Sequence, residues 1–345
     1  MENKNISAII YAVSAVLFYA VNVPCSKVLL NHVSPAVMAG LLYIGAGLGV
    51  GIMYVFHFKN ESPQERLEKK DMPYTVGMVL LDIIAPILLM MGIKFGTSSN
   101  ASLLNNFEIV ATALIALFVF GEKITKRLWN AILLITVSSI ILSFSGSDSL
   151  KFSLGSVLVI GAAVCWGMEN NCTRNISEKS THQIVTIKGF GSGTGSLVFA
   201  FLKGERLPEM KYIFIVILLG YVAYGLSIFT YIKAQKTLGA ARTSAYYAFA
   251  PFIGTFLSFA VLHEKLSYSY LVALIIMIAG TVIVVADTLV RSHSHEHTHT
   301  FTHTHDGSTH THTITHTHEH EHIFTDSKHG HVHSLEELEL SLHGH

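Results

Sequence analysis

From the start of the chain to about residue 290, apolar runs of about 20 residues follow one another with short breaks. Ten are read: Ile6–Leu29, Pro35–Phe58, Pro73–Phe95, Ser99–Phe120, Leu128–Phe144, Leu154–Thr173, Gln183–Leu202, Tyr212–Ile232, Thr243–Leu262 and Tyr268–Leu289. Each is long enough to cross the roughly 30 Å hydrocarbon core of a bilayer as a helix. A helix satisfies its own backbone there, where water is absent. Buried helices of a large soluble protein would need charged outer faces, and only 13% of the 345 residues are charged. The first run is too long for a signal-peptide core and lacks a small-residue cleavage site, so it reads as a retained helix.

The composition narrows the function. Disorder and a soluble enzyme are disfavoured. Equal numbers of basic and acidic residues, 23 each, leave no basic footprint for nucleic acid. Three cysteines make no disulfide framework. The sequence shows no nucleophile–base arrangement and no phosphate loop, so neither an enzyme nor ATP-driven transport by this chain is expected. Fifteen Lys and Arg fall on the side of the two termini and seven on the other, with Lys188 inside a span. The positive-inside rule then places both termini in the cytoplasm of a plasma or inner membrane.

The first five runs reappear in the second five. Gly45, Gly47, Gly49 and Gly51 match Gly189, Gly191, Gly193 and Gly195 at an offset of 144. Cys25 and Lys27 match Cys172 and Arg174 at 147. Ser102, Phe107, Glu122 and Lys123 match Ser244, Phe249, Glu264 and Lys265 at 142, as Lys94 matches Lys236. An odd number of helices per copy inserts the second copy upside down, the inverted repeat of secondary transporters. The expected fold is an all-α membrane protein of ten transmembrane helices. Residues 1–146 and 147–290 form two inverted five-helix repeats, and 291–345 a disordered cytoplasmic tail. Fusing the two copies makes a monomer workable, with a homodimer as the alternative.

The chain resembles the drug/metabolite transporter superfamily in its EamA-type two-domain form, over about residues 6–288. The resemblance is carried by the ten-span layout, Trp166-Gly167, Gly121-Glu122, and Leu238-Gly239-Ala240-Ala241-Arg242-Thr243-Ser244 leading to Pro251 and His263-Glu264. It implies a permease, often an exporter, for small metabolites, amino acids or toxic compounds. The chain departs from the pattern in having Tyr19-Ala20 where the second repeat has Trp166-Gly167. Its second span also lacks a basic residue, whose counterpart in the seventh is Lys188.

Ionisable side chains inside a bilayer cost several kcal/mol and need a reason. Asp82, Glu108, Glu169 and Lys188 lie within spans. A carboxylate in a low-dielectric setting can bind and release a proton near neutral pH, as proton-coupled exchange requires. Lys188 is placed to pair with Glu169, Glu108 or Asp82, or to bind a substrate anion. Asn22 is the repeat counterpart of Glu169. Trp166 and Tyr247 are candidate cavity aromatics. The plainer readings are structural ion pairs and packing. Pro24, Pro86 and Pro251 interrupt helical hydrogen bonding inside spans. Glu122 and Glu264 read as interface anchors.

Seventeen of the 21 histidines lie in residues 291–345. They alternate with Thr, Ser and Glu at His293, His295, His297, His299, His303, His305, His310, His312, His316, His318, His320 and His322. Imidazoles one residue apart on a flexible chain converge on Zn²⁺, Ni²⁺ or Cu²⁺. No cofactor is required otherwise. Residues 1–290 carry a net charge of +6 and the tail −6. The expected function is a secondary transporter in the lipid bilayer moving a small molecule, with a metal-binding tail. The alternatives are a metal-responsive sensor or adaptor, and a transition-metal transporter.

Overall fold

A computed structural model describes residues 2–57, 61–121, 124–143, 153–176, 178–238, 243, 246–264, 267–305 and 308–323, with backbone alone in the C-terminal strands. The chain divides into two units, Met1–Val285 and Ala286–His345.

The first unit is helical. The described α-helices are α1 Glu2–Ala20, α2 Asn22–Leu29, α3 Pro35–His57, α4 Met72–Phe95, α5 Ser98–Leu104, α6 Phe107–Phe120, α7 Lys126–Ser143, α8 Leu154–Arg174, α9 Thr181–Leu202, α10 Met210–Gly220, α11 Ser227–Leu238, α12 Ala250–Leu262 and α13 Tyr268–Leu289, the last four residues of which belong to the second unit. A π-helical turn, Tyr221–Leu226, joins α10 to α11. Among the described residues, eight helical stretches are long and apolar enough to cross a membrane. Of the other two expected spans, Leu154–Arg174 is helical but ends in the polar run Glu169-Asn170-Asn171, and Ala250–Leu262 is described over 13 residues.

Three expected spans are interrupted. The first breaks at Val21, where the Pro24 ring crowds the preceding turn and has no N–H to give it. The fourth breaks at Asn105-Asn106, whose side chains compete with helical hydrogen bonding. The backbone tightens there into bonds from Asn106 N–H to Leu103 and from Ile109 N–H to Asn106. The ninth breaks at Ala248-Phe249, and Pro251 falls in the first turn of α12, where its missing N–H costs nothing. The break at 248–249 lies one residue beyond 247–248, the positions equivalent to 105–106 at the offset of 142. Pro86 instead sits inside an unbroken α4.

Helix pairing runs between the halves. α3 packs on α9, α4 on α8, α1 on α11, α6 on α8, α1 on α12, and α5 on α12. The glycine ladders permit the closest of these approaches. A methyl on Gly47 would lie 2.9 Å from the Phe190 amide nitrogen and 3.0 Å from the Gly189 carbonyl carbon. At Gly51 the nearest atom is a Phe190 ring carbon at 3.4 Å. Alanine gains about 1 kcal/mol of helix propensity at either site. Gly47→Ala is therefore expected to lose about 1–3 kcal/mol net through overpacking, and Gly51→Ala to lose nothing. Equal melting of the two purified variants would contradict this.

The segment before α4 is tied to the start of α9. Ser180 N–H donates to the Glu65 carbonyl at 2.6 Å, Leu67 N–H to Gln183 Oε1 at 2.8 Å, and Lys179 Nζ to Glu68 Oε1 at 2.7 Å. The hydrogen bond from Lys179 holds the Glu68 carboxyl below its usual range, so this contact persists in mild acid and weakens as pH falls through that lowered value.

In the second unit, β1 Val290–His305 pairs antiparallel with β2 Ser308–Ile323, His303 opposite His310 and His293 opposite His320. Their alternation with Thr has the two-residue period of a strand. The side chains of the twelve candidate metal-binding histidines, and all of residues 324–345, lie outside the described residues.

Candidate functional site

α4, α8 and α9 bring three of the four intramembrane charges together. Asp82 is fully buried one turn before Pro86. Its Oδ1 accepts hydrogen bonds from Tyr43 OH at 2.9 Å and Trp166 Nε1 at 3.2 Å. Its Oδ2 lies 3.0 Å from Lys188 Nζ, which lies 3.0 Å from Glu169 Oε1 as well. The Thr173 hydroxyl donates to the same Glu169 oxygen. One ammonium is thus held between two carboxylates, an arrangement whose desolvation cost is offset only while all three are present.

Glu108 lies apart from this triad. It stands in the first turn of α6, just after the break, and its Oε1 accepts from Asn170 Nδ2 at 2.6 Å. No Lys or Arg forms an ion pair with it among the described residues. Asn170 follows Glu169 in the chain, so α8 serves both the triad and Glu108.

The other half of the centre is neutral. Asn22, beside the break at Val21, donates from Nδ2 to Tyr224 OH at 3.1 Å and accepts from Ser26 Oγ at 3.2 Å. The Tyr224 ring lies 5.0 Å from Tyr43 and 6.2 Å from Tyr19, and Tyr19 lies 5.5 Å from Tyr247. The Tyr247 hydroxyl is 3.3 Å from Ser227 Oγ. The repeat offsets explain this layout. Asp82 is equivalent to Tyr224, Trp166 to Tyr19, and Glu169 to Asn22. Where Trp166 bonds to Asp82, Tyr19 packs on Tyr224. Equivalent positions thus carry charge in one half and aromatic or amide groups in the other.

All seven sequence-predicted residues lie in or beside this network. Of the partners foreseen for Lys188, Asp82 and Glu169 are found and Glu108 is not. Sequence reasoning missed Tyr43, Tyr224, Tyr19 and Thr173. Applying the known offsets to Asp82 and Trp166 would have picked out Tyr224 and Tyr19. Beside the break in the fourth span, Ser102 Oγ, Asn105 Oδ1 and Asn106 Nδ2 are buried without a hydrogen-bond partner among the described residues. The three cysteines are free, and Cys165 packs against the core. Among the described residues no three His, Cys, Asp or Glu side chains converge as a metal site.

An open cleft of about 970 Å³ lies at one end of the bundle, lined by Tyr11, Phe56, His57, Glu61, His182, Phe229 and Lys233 among others. The His57 and His182 rings stack at 4.6 Å. None of the seven predicted residues lines it.

The apolar helices fit a multi-pass membrane protein, and the similarity to known proteins makes it a transporter rather than an enzyme. Residues 6–144 and 153–286 each match the EamA-like transporter family, and the chain belongs to that family. It is similar to an uncharacterized transporter of Methanothermobacter thermautotrophicus, 23% identical over 79% of this chain and 84% of the relative. It is also similar to the uncharacterized transporter YyaM of Bacillus subtilis, 22% identical over 76% and 87%. A crystal structure of another protein shares the fold with a TM-score of 0.59, covering 82% of this chain and 97% of that one at 17% identity.

Proposed function

We propose that the chain is a secondary active transporter that exports a small metabolite, amino acid or drug-like compound by alternating access. On this reading ten spans form two inverted five-helix repeats with both termini in the cytoplasm. The observation that carries it is the buried centre. Inter-half helix pairs, two helix breaks within one residue of repeat equivalence and four ionisable side chains meet around one polar network, the setting in which such transporters bind substrate.

Glu108 is the proton carrier. The triad already holds one cation between Asp82 and Glu169, whereas the donor to Glu108 among the described residues is a neutral amide. Ser102, Asn105 and Asn106 offer unused hydrogen bonds, and Tyr19, Tyr224 and Tyr247 offer aromatic faces, to a small polar or amphipathic molecule. The absence of a convergent ligand set among the described residues disfavours a metal ion in the pore. Reconstituted vesicles under an imposed pH gradient, offered a panel of amino acids, amines and drug-like cations, test the proposal. Flux of at least one compound is expected, and none across the panel would refute it.

The histidine-rich tail is read as a metal-binding regulator. Its net −6 opposes the +6 of the membrane region, so tail and body attract at low salt and bound metal weakens the attraction. A spin label in the tail should gain mobility with either salt or zinc. Truncation after Arg291 should leave basal flux intact and remove its response to zinc. Equal zinc response with and without the tail would refute the regulatory role.

A further inference from the structure

The repeat extends into the loops after α3 and α9. The glycine offset of 144 pairs Lys59, Glu61 and Glu65 with Lys203, Glu205 and Glu209. It also pairs the start of α3, Ala36 and Val37, with the start of α9, Ser180 and Thr181. The two members of this relation stand in different states. Glu205 reaches across the halves and caps α3, its Oε2 accepting from the Ala36 and Val37 amides, each at 3.1 Å. Its counterpart Glu61 does not cap α9. The Glu61 carboxylate takes Tyr54 OH at 3.1 Å and Arg66 Nε at 3.5 Å, and it lines the open cleft together with Ser180 and Thr181.

The surroundings break symmetry in the same sense. Cleft residues Phe56, His182 and Ile232 are equivalent to Ala200, Met38 and Met90 at offsets of 144, 144 and 142. Phe56 is 81% exposed, while Ala200, Met38 and Met90 are fully buried. One end of the bundle is thus sealed with its glutamate on a helix start, and the equivalent end is open with its glutamate off. Glu264 adds a second clamp of the same kind, accepting from the Ser98 and Ser99 amides at 2.7 and 2.9 Å. Its counterpart Glu122 lies outside the described residues.

We infer that Glu61 and Glu205 are reciprocal latches of the transport cycle. When the cleft closes, the Glu61 carboxylate moves from Tyr54 and Arg66 onto the amino end of α9, displacing the Glu65 carbonyl from the Ser180 amide. At the other end Glu205 leaves the Ala36 and Val37 amides, and the space around Ala200 opens. A carboxylate on helix-start amides makes charge-assisted hydrogen bonds and meets the positive end of the helix dipole, so each latch stabilises only the state in which it is engaged. The inference rests on the proposed two-state cycle, but its test needs no substrate.

In full-length protein with Cys25, Cys165 and Cys172 replaced, Phe56→Cys and Ala200→Cys are separate reporters, labelled with a membrane-impermeant maleimide applied to each side in turn. Glu205→Gln is expected to label Ala200→Cys about tenfold faster and Phe56→Cys more slowly. Glu61→Gln is expected to slow Ala200→Cys about tenfold, and the double variant to return near the parent. Glu205→Asp and Glu61→Asp, which keep the charge, should label like the parent and guard against misfolding. Changes in the same direction from the two Gln variants, or none from Glu61→Gln, would overturn the inference. Reciprocal labelling without flux of any compound would instead keep the latches and refute the transport reading.

Discussion

Replacing Lys188 with methionine is expected to abolish transport and to cost the fold about 3–5 kcal/mol, because it strands two buried carboxylates beside each other. Asp82 is fully buried and Glu169 nearly so, and Lys188 Nζ stands 3.0 Å from both. Tyr43 and Trp166 hydrogen-bond to Asp82 but bring no charge. The loss of stability should be relieved by neutralising the carboxylates in the same chain. Lys188→Met with Asp82→Asn and Glu169→Gln should recover most of the melting temperature and none of the flux. Measuring both quantities separates stability from function. Full flux in the single variant would show that the triad is outside the transport path.

Glu108→Gln is expected to preserve the fold and remove proton coupling. A glutamine keeps an oxygen to accept from Asn170 Nδ2, now 2.6 Å from Glu108 Oε1, so the local hydrogen bond survives. What it loses is the ability to exchange a proton. Substrate exchange between two sides at equal pH should persist, and uphill movement driven by a pH gradient should fall at least about tenfold, the scale of a lost coupling of 1.4 kcal/mol. The same substitution at Glu169 should act differently. It leaves Lys188 with one counter-charge instead of two, so it should weaken transport at equal pH as well.

Much of this architecture was legible in the sequence because a bilayer imposes one strong rule, a long apolar run for each helix. The glycine ladders marked the second and seventh spans as repeat equivalents, while packing shows that they face each other, with Gly47 against Gly189. The helix breaks were less legible. Pro24 and Pro251 signalled interruption, but Pro86 sits in a continuous helix, since one missing hydrogen bond does not dictate a break in a packed α4. The pairing of Lys188 was open in the sequence between three carboxylates on three different spans, because span order does not give the rotation of each helix. Packing supplies that rotation and excludes Glu108. Tyr43 and Tyr224 carry no formal charge, so a search for intramembrane ions passes over them, although the offset that relates Asp82 to Tyr224 was already present. The latch glutamates were missed for a related reason. Glu61 and Glu205 lie in polar loops, where a charged residue draws no notice, and only the amides of α3 show what Glu205 does.

Proton stoichiometry in reconstituted vesicles tests the central claim most directly. Wild-type protein and Glu108→Gln are compared with a pH-sensitive dye trapped inside while a transported compound is supplied outside. Wild-type protein should move protons with the compound, and Glu108→Gln should exchange the compound without moving protons. Equal proton movement per transported molecule in the two proteins would contradict the account.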